Sequence, residues 1–203
     1  MSSSFTKIKR ILINLVLTRP RVLKYWVLST CNNVEGTPVK NGPVLFNGLG
    51  IISFEGVVQL GFVDSPLFFS SYSHFEARNI RSSIKIKSGV FINNNACIIS
   101  EGEEGIVIGE NTLAGTSLTI FDSDFHDLDP SRRTTGVPKT AGVRIGNNVF
   151  IGSNVTILKG VEIGDNTVIG SGSVVTRSIP GNVVAGGNPC RVIKSLTSLT
   201  HAS

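Results

Sequence analysis

The chain has 203 residues with 16% charged side chains, a formal net charge of +5 and 22 glycines. That length suits one domain with a small appendage, and so much glycine with so little charge points to many tight turns. Cys31, Cys97 and Cys190 are widely spaced and form neither a CxxC pair nor a Cys/His cluster, so neither a disulfide framework nor a zinc site is suggested and a reducing cytoplasm fits best.

Residues 1–30 read as one or two short helices broken near Pro20, because proline is disfavoured in helix interiors. Much of the positive charge lies here, in Lys7, Lys9, Arg10, Arg19, Arg21 and Lys24. Stacking aromatics are not interleaved with these bases, so nucleic acid is not an expected partner. The apolar run Ile11 to Leu17 is too short to span a bilayer, and TRPRVLK follows it where an export signal would need small residues. Basic residues mixed with Ile, Leu, Val and Trp26 over Lys7 to Leu28 fit packing on the rest of the chain or on a neighbouring subunit. They also fit contact with an anionic membrane surface.

Residues 31–83 are expected to form irregular first coils, with strand assigned to the glycine-punctuated, apolar stretch Val44 to Phe69. From Ile84 onward a six-residue period appears: Ile86, Ile92 and Ile98, then, after a slip at ISEGEEG, Ile108, Ala114 and Ile120. Six unbroken hexads run from Ile145 to Pro180: IGNNVF, IGSNVT, ILKGVE, IGDNTV, IGSGSV and VTRSIP. Each opens with a β-branched aliphatic (Ile145, Ile151, Ile157, Ile163, Ile169, Val175). The fifth place holds Val149, Val155, Val161, Thr167, Ser173 and Ile179. Neither a helix nor an alternating strand keeps a period of six, whereas a triangular coil with one hexad per side stacks its aliphatics into a continuous core. The expected fold is therefore an all-β solenoid over residues 84–186, left through GNVVAGGNPCRVIK and a tail, 187–203.

Between Ile120 and Ile145 the period fails. The segment 121–142, FDSDFHDLDPSRRTTGVPKTAG, is dense in Asp, Arg and His and must project from the coil, which makes it the place to seek binding or chemistry. His126 is its sharpest candidate, since imidazole can take and return protons near neutral pH. Asp122, Asp124, Asp127 and Asp129 surround it in sequence; one of them, or a backbone carbonyl, would hold the ring's tautomer. The aspartate spacing does not match a calcium-binding EF-hand loop.

The hexads, DSDFH, IGNNVFIGSNVTILKGVEIGDNTVIGSGSVVT and GNPCRVIK together resemble the left-handed parallel β-helix acyltransferases, in the branch of galactoside, maltose and polysaccharide O-acetyltransferases. The resemblance covers roughly Ile84 to Lys194. It implies a left-handed coil, a homotrimer with sites between neighbouring copies, acetyl-CoA as cosubstrate and no metal. It also implies that His126 is the general base for direct attack of a sugar hydroxyl on the thioester. Asn94 corresponds to an asparagine contacting the acceptor, and Ser153 to a residue whose N–H faces the thioester oxygen. Phe150 takes the place of an aromatic walling the thiol arm, Gly170 and Ser171 flank the pantetheine, and Thr176, Arg177 and Arg191 lie near the phosphates and adenosine.

The leading expectation is an O-acetyltransferase acting on a surface polysaccharide or its precursor, cytoplasmic and reaching the inner membrane face if the N-terminal segment meets lipid. The alternative is an N-acyltransferase on an amino sugar nucleotide or a small-molecule acceptor, although no GxGxxG follows a strand in the first 80 residues. A non-enzymatic scaffold would not require the polar loop. A zinc hydrase would need three converging histidines, and the chain has only His74, His126 and His201.

Overall fold

A computed structural model of the chain describes residues 8–9 and 11–196; Lys7, Arg10 and His201 lie outside the described residues. Each turn is a triangle of three short strands. The first three turns are β1 (Val34–Glu35), β2 (Val39–Lys40) and β3 (Val44–Gly48); β4 (Ile51–Phe54), β5 (Gln59–Leu60) and β6 (Ser73–Ala77); β7 (Ser83–Ile86), β8 (Phe91–Ile92) and β9 (Cys97–Ser100). The next three are β10 (Ile106–Ile108), β11 (Leu113–Ala114) and β12 (Thr119–Phe121); β13 (Val143–Ile145), β14 (Phe150–Ile151) and β15 (Thr156–Ile157); β16 (Glu162–Ile163), β17 (Val168–Ile169) and β18 (Val174–Val175). Stacked turns make three walls: A from the first strand of each turn, B from the second and C from the third. All pairings between turns are parallel, and equivalent hexad positions meet, as in Ile106 opposite both Ile84 and Val143. Wall B continues into β19 (Val183–Gly186), on which β20 (Arg191–Ser195) folds back antiparallel.

The inward phase read from the hexads holds. All six opening residues from Ile145 to Val175 and all six fifth-place residues from Val149 to Ile179 are buried. The two polar ones are satisfied: Thr167 Oγ1 donates to the Pro180 carbonyl at 2.8 Å and Ser173 Oγ to that of Gly170 at 2.5 Å. At the AB corner the chain needs a left-handed residue in each turn, and Asn supplies it at 111, 148, 166 and 182, with φ between 53° and 58°. Asn148 and Asn166 also donate side chain to side chain down that corner, at 2.8 and 3.0 Å.

The first two turns are complete triangles rather than the irregular coils expected. Their core is aromatic: Phe46, Phe54 and Phe75 are buried with ring centroids 5.7–6.3 Å apart. Their irregularity is confined to an excursion, 61–72, between β5 and β6. Pro20 does not break a helix either. It lies in the first turn of α1 (Arg19–Leu28), and the helical backbone runs into it directly from a π-helical turn, Asn14–Thr18. Helix α1 is pinned to the excursion. Arg21 donates to the carbonyls of Phe68 and Ser71 at 2.6 and 2.5 Å, and Tyr25 stacks on Tyr72 with centroids 4.3 Å apart. Leu23, Trp26 and Val27 remain exposed. Among the described residues no helix is long and apolar enough to cross a membrane.

Candidate active site

Three departures from the coil leave from one corner, between walls C and A: residues 78–82, 101–105 and 122–142. The longest is rooted by Asp122, which is fully buried yet well supplied with donors. It accepts from Ser100 Oγ and the Glu101 N–H, both at 2.7 Å, and from the Gly102 N–H at 3.2 Å. Burial nonetheless pushes its carboxyl above the ordinary value. The limbs of the loop then pair briefly, Ser123 opposite Thr140, with the Ala141 N–H on the Asp122 carbonyl at 2.9 Å. Lys159, from the turn below, reaches Asp124 Oδ1 at 3.0 Å, while Asp124 Oδ2 is buried with no hydrogen-bond partner.

The crown of the loop is tied by its own charges. Asp129 caps a short 3-10 turn, Pro130–Arg132, accepting from the Ser131 N–H and hydroxyl at 2.9 and 2.8 Å, and these bonds lower its pKa. Arg132 bridges Asp127 and Asp129 at 3.2 and 3.4 Å. His126 is exposed on this crown, its Nδ1 lying 3.2 Å from the carbonyl oxygen of Arg133. A carbonyl only accepts, so this contact calls for a proton on Nδ1, and in the neutral ring the lone pair then lies on Nε2. The tautomer is thus set by backbone. The four aspartates that surround His126 in sequence hold the loop's root and crown instead.

Beneath the loop lies a cluster that residue patterns did not reveal. Arg78 forks onto Glu76, Nε to Oε1 at 2.9 Å and Nη2 to Oε2 at 3.3 Å, and its Nη1 is 3.6 Å from Glu101 Oε1. His74 backs Glu76 at 3.3 Å. Arg78 holds the Glu76 carboxyl below its ordinary value, and Glu76 in turn raises the guanidinium. Ser123 Oγ donates to Glu101 Oε2 and accepts from the Phe125 N–H at 2.8 Å. The only available sequence signal was the phase slip at ISEGEEG, which marks a departure after wall C, as the long loop does.

The other expected site residues gather elsewhere. Asn94, Ser153, Gly170 and Ser171 follow strands of wall B and lie at the BC corner. Asn94 is buried, and its amide is spent holding the 61–72 excursion: Oδ1 accepts from the Phe62 N–H at 3.0 Å, and Nδ2 donates to the carbonyls of Phe62 and Pro66 at 2.9 and 3.0 Å. Asn93 and Asn95 are half-buried beside it. The Ser153 N–H, expected to face a thioester oxygen, already donates to Ser171 Oγ at 3.1 Å. Gly170 has room, since a Cβ there would meet nothing closer than 3.6 Å, so its lack of a side chain is not forced by its own chain. Phe150 stands 52% exposed on the outside of wall B, between Leu113 and Val168. Thr176 and Arg177 are exposed at the CA corner, and Arg191 lies on β20 with Nη1 on the Cys190 carbonyl at 2.7 Å. One chain therefore splits the candidates between two corners separated by wall C, whose outer face carries half-buried Cys97, Ile99, Phe121 and Val174. Among the described residues no group of three or more His, Cys, Asp or Glu is arranged to hold a metal ion.

Residues 142–177 match the family model described as "Bacterial transferase hexapeptide (six repeats)". The galactoside O-acetyltransferase of Escherichia coli (strain K12) is 38% identical over 143 residues, covering 70% of this chain and 64% of that protein. The chain thus spans somewhat less than two thirds of that relative's length. A solved hexapeptide-repeat acetyltransferase from Vibrio cholerae superposes with a TM-score of 0.53 at 24% identity, over 95% of this chain and 89% of that one. The polysialic acid O-acetyltransferase OatWY superposes with a TM-score of 0.52 at 25% identity, over 82% and 66%. Repeat, three-walled parallel coil and relatives agree: the chain carries the bacterial transferase hexapeptide repeat and is similar to hexapeptide-repeat acetyltransferases.

Proposed function

We propose that the protein is an acetyl-CoA-dependent O-acetyltransferase acting on a sugar hydroxyl of a surface polysaccharide or its precursor. The observation that carries this reading is His126, exposed on a tied loop with Nδ1 on the Arg133 carbonyl and Nε2 free to act as a base. Nε2 removes the proton of the acceptor hydroxyl as its oxygen attacks the thioester carbonyl carbon. The resulting tetrahedral intermediate expels the sulfur, and the imidazolium returns its proton to the departing thiolate. The products are the acetyl ester and free coenzyme A, with no acyl-enzyme. Support for oxygen as the acceptor comes from two relatives, whose names specify O-acetyl transfer to carbohydrates, a galactoside and polysialic acid.

The coenzyme would lie along the BC corner of one copy, with Phe150 as apolar wall, the space at Gly170 left for the pantetheine arm beside Ser171, and Arg191 toward the phosphates, while Thr176 and Arg177 would reach them from the CA corner of a neighbouring copy. His126 sits at the other corner, so a site needs the CA corner of a neighbouring copy. This argument, with the half-buried apolar residues outside wall C, supports a homotrimer. The N-terminal helix supports a lipid-linked acceptor reached by peripheral membrane contact. No acidic residue precedes Glu35, and exposed Leu23, Trp26 and Val27 accompany Arg19 and Lys24.

The test is thiol release from acetyl-CoA by wild type and His126→Ala against hydroxyl sugars, glycan extracts and amino sugar nucleotides. Release stimulated by a hydroxyl sugar and lost in the variant is expected. Release with amino sugars alone would replace this reading by N-acylation, and full activity of the variant would remove the base assignment. Flotation with anionic and with neutral vesicles tests the membrane contact separately; equal recovery with both would discard it.

A further inference from the structure

Phe125, immediately before His126, holds a left-handed backbone conformation, φ +58°, that an aromatic residue rarely adopts. Something must maintain it, and the residue is gripped from three sides. Its N–H donates to Ser123 Oγ at 2.8 Å. Its ring meets Phe121 edge-on with centroids 5.2 Å apart, and the Arg78 guanidinium carbon lies over it, 4.8 Å from the centroid. Arg78 also reaches the Phe125 N–H by a second route, through Glu101 and then the Ser123 hydroxyl. Glu76 keeps the guanidinium from swinging away with a two-pronged hydrogen bond at 2.9 and 3.3 Å.

We propose that Arg78 is a positioning residue for His126: by stacking on Phe125 and bracing Glu101 and Ser123 beneath it, Arg78 fixes the backbone from which the imidazole projects. The proposal rests on His126 being the base, and its tests separate the two ideas. An ion pair that merely stabilised the corner would be complete at Glu76. It would not need the guanidinium over an aromatic ring one residue from the histidine.

Misplacing a catalytic group by about an ångström costs on the order of a hundredfold. Arg78→Met is therefore expected to lower kcat roughly tenfold to a hundredfold, with KM for acetyl-CoA changed less than about twofold. Arg78→Lys should recover only part of the loss, because an ammonium keeps the charge but not the planar fork or the stack. A second readout needs no turnover. Nitrogen-15 spectra of the imidazoles contain only three histidines, His74, His126 and His201, and His126→Ala identifies the relevant one. Wild type should show one Nδ1-protonated form of His126, and Arg78→Met a mixture of tautomers. Ser123→Ala, which leaves the Arg78–Glu76 fork intact, should shift the spectrum the same way and decides the matter if Arg78→Met fails to fold. Wild-type kcat and an unchanged His126 spectrum in the folded variants would overturn the proposal. An active His126→Ala would instead overturn the base, leaving the spectra to report whether Arg78 orders the ring.

Discussion

The walls of the coil and the loop at 122–142 are built on opposite principles. In the walls, stability is apolar and repetitive. Ile145, Ile151 and Ile157 bury their side chains against equivalents one turn away, and few polar groups need individual partners. In the loop almost nothing apolar is buried, and shape comes from particular polar bonds: Asp122 on three donors, Arg132 between Asp127 and Asp129, and His126 on a carbonyl. A loop made of individual bonds can be retuned residue by residue without disturbing the coil.

Substitutions sort by which of these principles they violate. Val161→Asp, fully inside the coil, leaves an unpaired carboxylate in an apolar stack and should cost several kcal/mol, abolishing soluble folded protein; normal solubility and melting would show that the walls are not what holds the molecule. His126→Ala should do the reverse, lowering turnover by roughly two to four orders of magnitude while the melting temperature stays at that of wild type. Asp122→Ala couples the regions. It orphans the buried donors of Ser100, Glu101 and Gly102, so a loss of about 1–3 kcal/mol is expected, and proteolysis should cut first within 122–142. Cleavage elsewhere would mean that the loop is held by something other than its root.

A smaller effect is expected at Gly172. A Cβ there would meet nothing within 4 Å, yet φ is +73°, so Gly172→Ala isolates backbone strain at about 1 kcal/mol in a denaturant midpoint. The smallest is pH-dependent. Arg78 lowers the Glu76 carboxyl from its ordinary value of 4.5, so this pair stabilises the folded state above that value and its contribution is lost as pH falls through the lower, folded one. Comparing the melting of wild type with Glu76→Gln should show a difference at neutral pH that fades as pH falls below 4.5. A difference independent of pH would assign the effect to packing.

The same contrast explains what the sequence disclosed. Hexads with Ile at one place are legible because every rung repeats the demand, and the inward phase from Ile84 to Ile179 is as read. The first two turns obey the same geometry but fill their core with Phe46, Phe54 and Phe75, and 61–72 interrupts them, so the period was hidden by larger side chains rather than absent. In the loop, His126 stood out by chemistry, whereas its support could not. Ser123 and Glu101 are 22 residues apart, while undisturbed turns place partners such as Asn148 and Asn166 at a separation of 18. Nothing in a hexad count relates positions across a corner that has been stretched. Asn94 illustrates the converse: its residue type invites a role toward the acceptor, but only coordinates reveal that its amide is spent on the backbone of 62 and 66.

The antiparallel return of β20 has a meaning beyond termination. A parallel coil exposes, at each end, a row of unpaired backbone groups that would accept another chain's strand, and a repeat that fits itself is a template for fibre growth. Here β20 covers wall B's last parallel strand with the opposite polarity, and at the other end the Phe46 carbonyl takes the N–H groups of Thr30 and Cys31 while its N–H donates to Ser29 Oγ. One wall at each end is thus covered by another segment of the chain, which removes that edge as a template.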